Sequence, residues 1–406
     1  MMIGESAVIF VMPQRGHLNR LRPLISALVA ADIRTYVFTD PDFQKEVERM
    51  GGRFVDLFAN RPIEAADATS LPIPCRYVSF AGFYADHVVK EVEALRPAIV
   101  IHDTFAVIGV PVAHHLGLPR VNVCAGHNLA PTPTVENMRR DLRMNISEQC
   151  RRAVRSLREH HGMPDASPLS FVSTLSPTLN IYCEPPEFLR PEERKIFQPI
   201  AFFGSLSPED TYCESIRVSP FGEDAAHKLR IYVSFGTVVW RYYETEALNA
   251  LEAISEALSI RDDVVAVISL GGREPTERTS RLARHNVRVE RYVDQWTVLR
   301  GASVFFTHHG LSSTHEAIFH LTPMISYPFL SDQPDLAKRC QELGLAVPLT
   351  DALRGPIDPA AVRTALAAVA SKRDAMRARL TEARRWEIET IHGRGAVIER
   401  ILRLIQ

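Results

Sequence analysis

Residues 303–316, SVFFTHHGLSSTHE, read as a buried strand, a polar loop and the start of a helix with almost nothing between them. The stretch 303–307 is nearly all apolar, as expected of a strand covered on both faces. The loop then puts His308, Gly310, Ser312 and Ser313 where the first amides of a helix lack intrahelical partners. Such an end attracts phosphate. Gly310 permits close backbone approach, Ser312 and Ser313 offer hydroxyls, and His308 offers a ring N–H. Glu316, about two turns on, is a carboxylate able to accept two ribose hydroxyls. The plainer alternative is that Ser312 only caps the helix.

The same strand, loop and helix pattern extends in both directions. In the second half, strands are expected at 230–235, 264–270, 287–293, 303–307 and 324–328. In the first half they are expected at 6–12, 34–39 and 53–57, with further strand–helix units at 98–116 and 119–124. A polar loop at 13–19 precedes a helix at 21–31, and a second helix opens at Asp40-Pro41 and stops at Gly51-Gly52. Apolar strands alternating with helices imply parallel sheets layered on both faces. At 406 residues the chain exceeds one ordinary core, so two domains are expected. We divide it into 1–205, a Ser-, Pro- and acid-rich linker at 206–228, and 229–392. The tail is helical from 358, breaks near 392–395, and its last helix, about 393–406, is expected to return to the first domain. The fold class is therefore α/β, with two Rossmann-like domains facing across a cleft that joins the carboxyl ends of their strands.

Composition removes several function classes. Lys and Arg number 47 against 48 Asp and Glu, and no segment concentrates one sign, which argues against nucleic acid. The apolar run 7–12 is too short for a membrane span and lacks the flanks of a secretory signal. The six cysteines are scattered without a CxxC pair, which suits a reduced, cytoplasmic setting. The sequon at Asn145 has no consequence there. Asp40-Pro41-Asp42 imitates a DxD metal motif, but Asp before Pro is a favoured helix start. The histidine pairs 114/115, 160/161 and 308/309 are adjacent in the chain, so their members point apart, and no metal site is expected. Residues 151–158 read as a solvated helix face.

Beyond 316 come Thr322-Pro323, Tyr327-Pro328 and Asp332-Gln333. The run from Tyr292-Val293-Asp294-Gln295 through His308-His309-Gly310 to Glu316 and Asp332-Gln333 resembles the donor signature of the UDP-glycosyltransferase superfamily. The resemblance implies the GT-B fold. It also implies that Tyr292 stacks on the nucleobase, that the Val293 backbone bonds its edge, and that Gln295 belongs to the same site. His308, with Ser312 and Ser313, would bind the phosphates and Glu316 the ribose, while Asp332 and Gln333 would bind sugar hydroxyls. Thr237, in Ser234-Phe235-Gly236-Thr237, matches a loop that touches the phosphates. The chain departs from the family pattern in carrying Tyr292 where plant members often have tryptophan, and His309 and Leu311 where small residues or tryptophan stand.

In the first half, His17 follows the first strand and Asp103 follows the strand at 98–102, so both emerge at one sheet edge. An acceptor hydroxyl needs a base, and histidine, with an ordinary pKa of about 6.5, suits neutral pH. Asp103 would fix its tautomer, and the family resemblance implies the same pair. The Pro- and Ala-rich segment 61–74 reads as a functional loop. Pro72, Phe80, Phe83, Tyr84, Phe105 and Asn128 are candidates to line an acceptor site, plain core packing being the alternative.

The expected reaction is inverting, metal-independent transfer of a hexose from a UDP-sugar to a hydroxyl of a small lipophilic natural product, as in antibiotic biosynthesis. A dTDP-deoxysugar donor is one alternative. Another is a nucleotide-sugar 2-epimerase, which needs no acceptor. A non-catalytic sensor would not need His17 and Asp103, and the absence of GxGxxG after either first strand argues against a nicotinamide enzyme.

Overall fold

The computed structural model describes residues 5–124, 126–140, 143–206, 220–222, 225 and 227–406. Most of the expected linker, and Cys213 with it, lies outside the described residues. Two compact units result, Met1–Ser207 with Thr390–Gln406, and Pro208–Glu389.

The first unit is built on a parallel seven-stranded sheet. Its strands are β1 (Ser6–Phe10), β2 (Arg34–Thr39), β3 (Arg53–Asp56), β4 (Ile99–Asp103), β5 (Arg120–Cys124), β6 (Leu179–Tyr182) and β7 (Ile200–Phe202). Their order is β3-β2-β1-β4-β5-β6-β7. Every residue of β1 and β4 is buried, because helices cover both faces. The chain leaves β1 towards β2 on one side and β4 towards β5 on the other, so the sheet has a switch point between β1 and β4.

The second unit repeats this plan with six parallel strands: β8 (Leu229–Ser234), β9 (Val264–Ser269), β10 (Val287–Glu290), β11 (Val304–Thr307), β12 (Met324–Ser326) and β13 (Ala346–Pro348). The order β10-β9-β8-β11-β12-β13 puts its switch point between β8 and β11.

The helix after β1 spans Arg15–Ala30 rather than starting at 21. Pro23 therefore lies inside it, where the missing N–H forfeits one helical bond. His17 is consequently in the first helical turn, not in a loop. The long helix Cys75–Leu95 and strands β6, β7 and β13 had no strong sequence signal: the strands have three or four residues each, too few to show a period. Asp40 does cap its helix, accepting from the amide of Asp42. The helix Glu148–His160 exposes Arg151, Arg152, Arg155 and Arg158 as expected. Cys75, Cys124, Cys150, Cys183 and Cys340 are buried. Among the described residues no helix is long and apolar enough to cross a membrane.

Within the first unit the final helix, Arg394–Ile405, is tied to the end of the sheet: the Arg394 guanidinium donates to the carbonyls of Phe203 and Leu206, each at 2.6 Å.

The helices Cys75–Leu95 and Glu148–His160 cross at Gly82, where an added Cβ would press into the backbone of Ala153. Gly82→Ala is expected to destabilise the fold by about 1–2 kcal/mol, since overpacking outweighs the roughly 1 kcal/mol gained in helix propensity. Thermal unfolding should show a loss of several degrees, about 2–4 °C per kcal/mol for a unit of this size.

Candidate functional site

The strand registers build both clusters. In the first sheet Phe10 pairs with His102, so the chain leaving β1 passes beside Asp103 at the end of β4. The amide of Met12 donates to Asp103 Oδ2 at 2.8 Å, and the amide of Phe105 donates to Oδ1 at 2.7 Å. The helix that starts at Arg15 then swings His17 back over the strand ends. Its Nδ1 lies 3.0 Å from Asp103 Oδ1, and both side chains are buried, at 7 % and 2 % exposure. Burial pushes the Asp103 carboxyl up, but the attraction and hydrogen bond of His17 and the two backbone donors together hold it below the ordinary value. An ionised Asp103 fixes the proton on Nδ1 and leaves Nε2 with its lone pair, the form that accepts a proton. Phe105 packs against the imidazole with ring centroids 4.7 Å apart.

Other expected residues divide between surface and packing. Phe80 is 2 % exposed and wedged between Phe58 and Tyr84, so its ring is closed off behind the surface rather than lining it. Phe83, Tyr84 and Phe105 are partly exposed. Tyr84 also donates to the carbonyl of Pro62, tying the 61–74 loop to the long helix. Asn128 has a positive φ, 41°; its amide donates to the Tyr182 hydroxyl and its Nδ2 to Glu193. Sequence reading missed a second buried pair at this sheet edge, His127 Nδ1 with Glu184 Oε2 at 2.7 Å. No local pattern marks it, because the partners follow different strands.

The second unit shows the corresponding arrangement. Thr307 pairs with Ser234, so His308 emerges opposite Gly236. The His308 ring lies between two glycines: a Cβ at Gly236 would come within 2.6 Å of Nε2, and one at Gly310 would collide with the same atom. Gly236 moreover has φ 71°, a conformation that other residues rarely adopt. Burial pushes His308 down to about 4, the Ser234 backbone pulling the other way. Its Nδ1 has no hydrogen-bond partner among the described residues.

Gly310, not Ser312, is the N-cap of the helix Leu311–Phe319, and that cap supplies no side-chain hydrogen bond among the described residues. Gln295 joins the neighbouring candidates, its Nε2 lying 2.7 Å from Glu316 Oε2 and 3.1 Å from Ser313 Oγ. The Tyr232 hydroxyl reaches Gln295 from β8 at 3.4 Å. Tyr292 and Val293 lie beyond the end of β10, shorter than expected, and the Tyr292 side chain is 63 % exposed, open for stacking. Thr237 is exposed on the loop after β8, and Asp332 is half-buried. Gln333 Oε1 accepts from the amides of Phe329 and Leu330, so half of its amide holds its own loop.

His309 is different in kind from His308. Fully buried with φ 58°, it bonds Thr314 through Nδ1 and Ser326 through Nε2, and so belongs to the scaffold. The two rings therefore diverge. The other two histidine pairs do not stay separate, however: the fold brings His115 and His161, one from each, together with Asp86. The expectation of no metal site considered only neighbours in the chain.

Comparison with known proteins agrees with this architecture. The family described as UDP-glucoronosyl and UDP-glucosyl transferase matches residues 195–378. The NDP-glycosyltransferase YjiC of Bacillus licheniformis is 24 % identical over 349 residues, 83 % of this chain and 83 % of its own. The chain is a glycosyltransferase, and its residues 195–378 are similar to the UDP-glucoronosyl and UDP-glucosyl transferase family. Among solved structures it is similar to the glycosyltransferase of kitacinnamycin, with TM-score 0.75 and 22 % identity over 100 % of both chains. It is also similar to the spinosyn rhamnosyltransferase SpnG complexed with thymidine diphosphate, with TM-score 0.65, 19 % identity, and coverage of 97 % of this chain and 99 % of that one. At such identities these structures establish the fold, which is GT-B. The family match contains every donor-side candidate from Thr237 to Gln333, whereas His17 and Asp103 precede it.

The buried state of His308 has a measurable consequence. Its folded value lies near 4 and the unfolded one near 6.5, so between these the unfolded chain binds the extra proton. Stability should therefore fall as pH drops through that window, by about 2–4 kcal/mol from this group. Urea unfolding of wild type and His308→Gln at about pH 7 and pH 4.5 should show a shallower loss in the variant. His102, held near 3, and His320, held near 4, add losses of the same sign that persist in both proteins.

Proposed function

We propose that the protein transfers a hexose from a UDP-sugar to a hydroxyl of a small lipophilic natural product, with inversion at the anomeric carbon. The observation that carries this reading is the buried His17–Asp103 pair at the switch point of the first sheet, with Nδ1 engaged and Nε2 left as a base. His17 removes the acceptor proton as the hydroxyl oxygen attacks the anomeric carbon. The bond from that carbon to the diphosphate breaks, and the proton stays on an imidazolium stabilised by Asp103.

The donor belongs to residues 229–392. The free amides at Leu311, Ser312 and Ser313 and the neutral His308, through its unpartnered Nδ1, meet the diphosphate as its charge grows. This set, with Thr237 nearby, does the work for which other sugar transferases use a metal ion. Glu316, oriented by Gln295, binds the ribose, Tyr292 stacks on the base beside Val293, and Asp332 with Gln333 binds the sugar. Phe83, Tyr84, Phe105 and Asn128 line the acceptor side of 1–205, and Phe80 supports them from behind. The buried cysteines accord with a cytoplasmic setting. A thymidine nucleotide is the second donor to test, because a structurally similar relative is complexed with thymidine diphosphate.

The test is incubation, without added metal, with UDP- and dTDP-sugars and pooled phenolic, polyketide and terpenoid acceptors, followed by mass spectrometry for sugar adducts. Wild type should form an adduct, and His17→Ala should lower its rate about 10²–10⁴-fold. Asp103→Asn should also slow it, with the loss in kcat rather than in donor affinity. NMR of the product should show a β-linkage from an α-linked donor; retention would refute the single displacement. Conversion of the donor alone to another sugar nucleotide would refute transfer.

A further inference from the structure

Three helices of the first unit bring polar side chains to one point. Asp86 lies on the helix Cys75–Leu95, His115 in the last turn of Gly109–Leu116, and His161 closes Glu148–His160. His115 Nε2 is 3.0 Å from His161 Nδ1, and Asp86 Oδ1 is 3.9 Å from that same Nδ1. One ligand atom from each of the three lies within 4.8 Å of the others.

We propose that Asp86, His115 and His161 form a binding site for a divalent transition cation, Zn²⁺ by ligand chemistry, that clasps these three helices together. Two imidazoles and a carboxylate are the donor set that borderline cations such as zinc prefer, and too poor in oxygen for calcium or magnesium. Tetrahedral zinc with bonds of about 2.0–2.1 Å sets its ligand atoms about 3.3 Å apart. The two imidazole nitrogens are already near that spacing, and a swing of up to about 1.5 Å by the exposed Asp86 carboxylate completes it. A bare histidine–histidine hydrogen bond satisfies the arrangement less well: one bridging proton serves both rings and leaves the carboxylate, at 3.9 Å, bonded to neither.

The site combines rigidity and access. The His161 side chain is 5 % exposed and fixed, whereas that of Asp86 is 75 % exposed and free to swing inward, leaving a fourth position for water. Gly162, with φ 66°, turns the chain immediately after His161, and a Cβ there would strike the His114 ring. That glycine lets the two histidine pairs close on each other. The bound cation holds the middle of the helix Cys75–Leu95, one turn from Phe83 and Tyr84. It takes no part in sugar transfer, and so stands or falls independently of the proposed reaction.

The experiment uses tag-free, metal-stripped full-length protein, titrated with Zn²⁺ against a chromophoric chelator and, separately, with Co²⁺. One equivalent of Zn²⁺ should bind, Co²⁺ should give the visible bands of a four-coordinate site, and a hundredfold excess of Zn²⁺ over Kd should raise Tm by about 5–10 °C. Affinity should fall at least about tenfold in Asp86→Asn and about a hundredfold in His115→Gln. Both residues are exposed, so these variants test the site even if His161→Gln fails to fold. Absence of stoichiometric binding, or wild-type binding by both variants, would overturn the proposal and assign any uptake to other surface histidines.

Discussion

At the centre of each sheet two parallel strands run side by side and end level with each other, while the chain leaving them departs in opposite directions. The backbone beyond those ends cannot continue the hydrogen-bond ladder, so its amides and side chains must find other partners. In the first unit the carboxylate of Asp103 meets that demand by accepting the amides of Met12 and Phe105, which fixes it beneath His17. In the second unit the same gap is filled by His308, lodged against Gly236 and Gly310. The two pairings, Phe10 with His102 and Thr307 with Ser234, are thus what brings residues distant in sequence within bonding range.

Burial gives the two histidines different characters. His17 has a carboxylate at Nδ1, so its surroundings accommodate a positive ring once a proton arrives at Nε2. For His308 burial is the largest influence, and the ring is held neutral. A neutral imidazole is a directional hydrogen-bond donor rather than a cation, which suits the diphosphate-binding role proposed for His308. His309, next in the chain, is spent entirely on the scaffold through Thr314 and Ser326. Residue type alone thus assigns no role; the role follows from which way the backbone turns the ring.

The sequence determined the class of fold, because nearly continuous apolar strands alternating with helices leave few options besides layered parallel sheets. It also marked the proposed donor-side block, where Thr307 to Glu316 and the neighbouring Tyr292 to Gln295 are close enough in the chain for their spacing to carry the pattern. Short strands such as β13, with three residues, had no period to reveal, and the start of the helix at Arg15 was obscured by Pro23 within it. Only the tertiary structure decided which residues meet. It closed Phe80 off among its neighbours, turned half of the Gln333 amide to its own loop, paired His127 with Glu184, and gathered Asp86, His115 and His161 from three helices. Local pattern reports the direction of a side chain relative to its own element; contact between elements depends on strand register and helix crossing, which no single segment encodes.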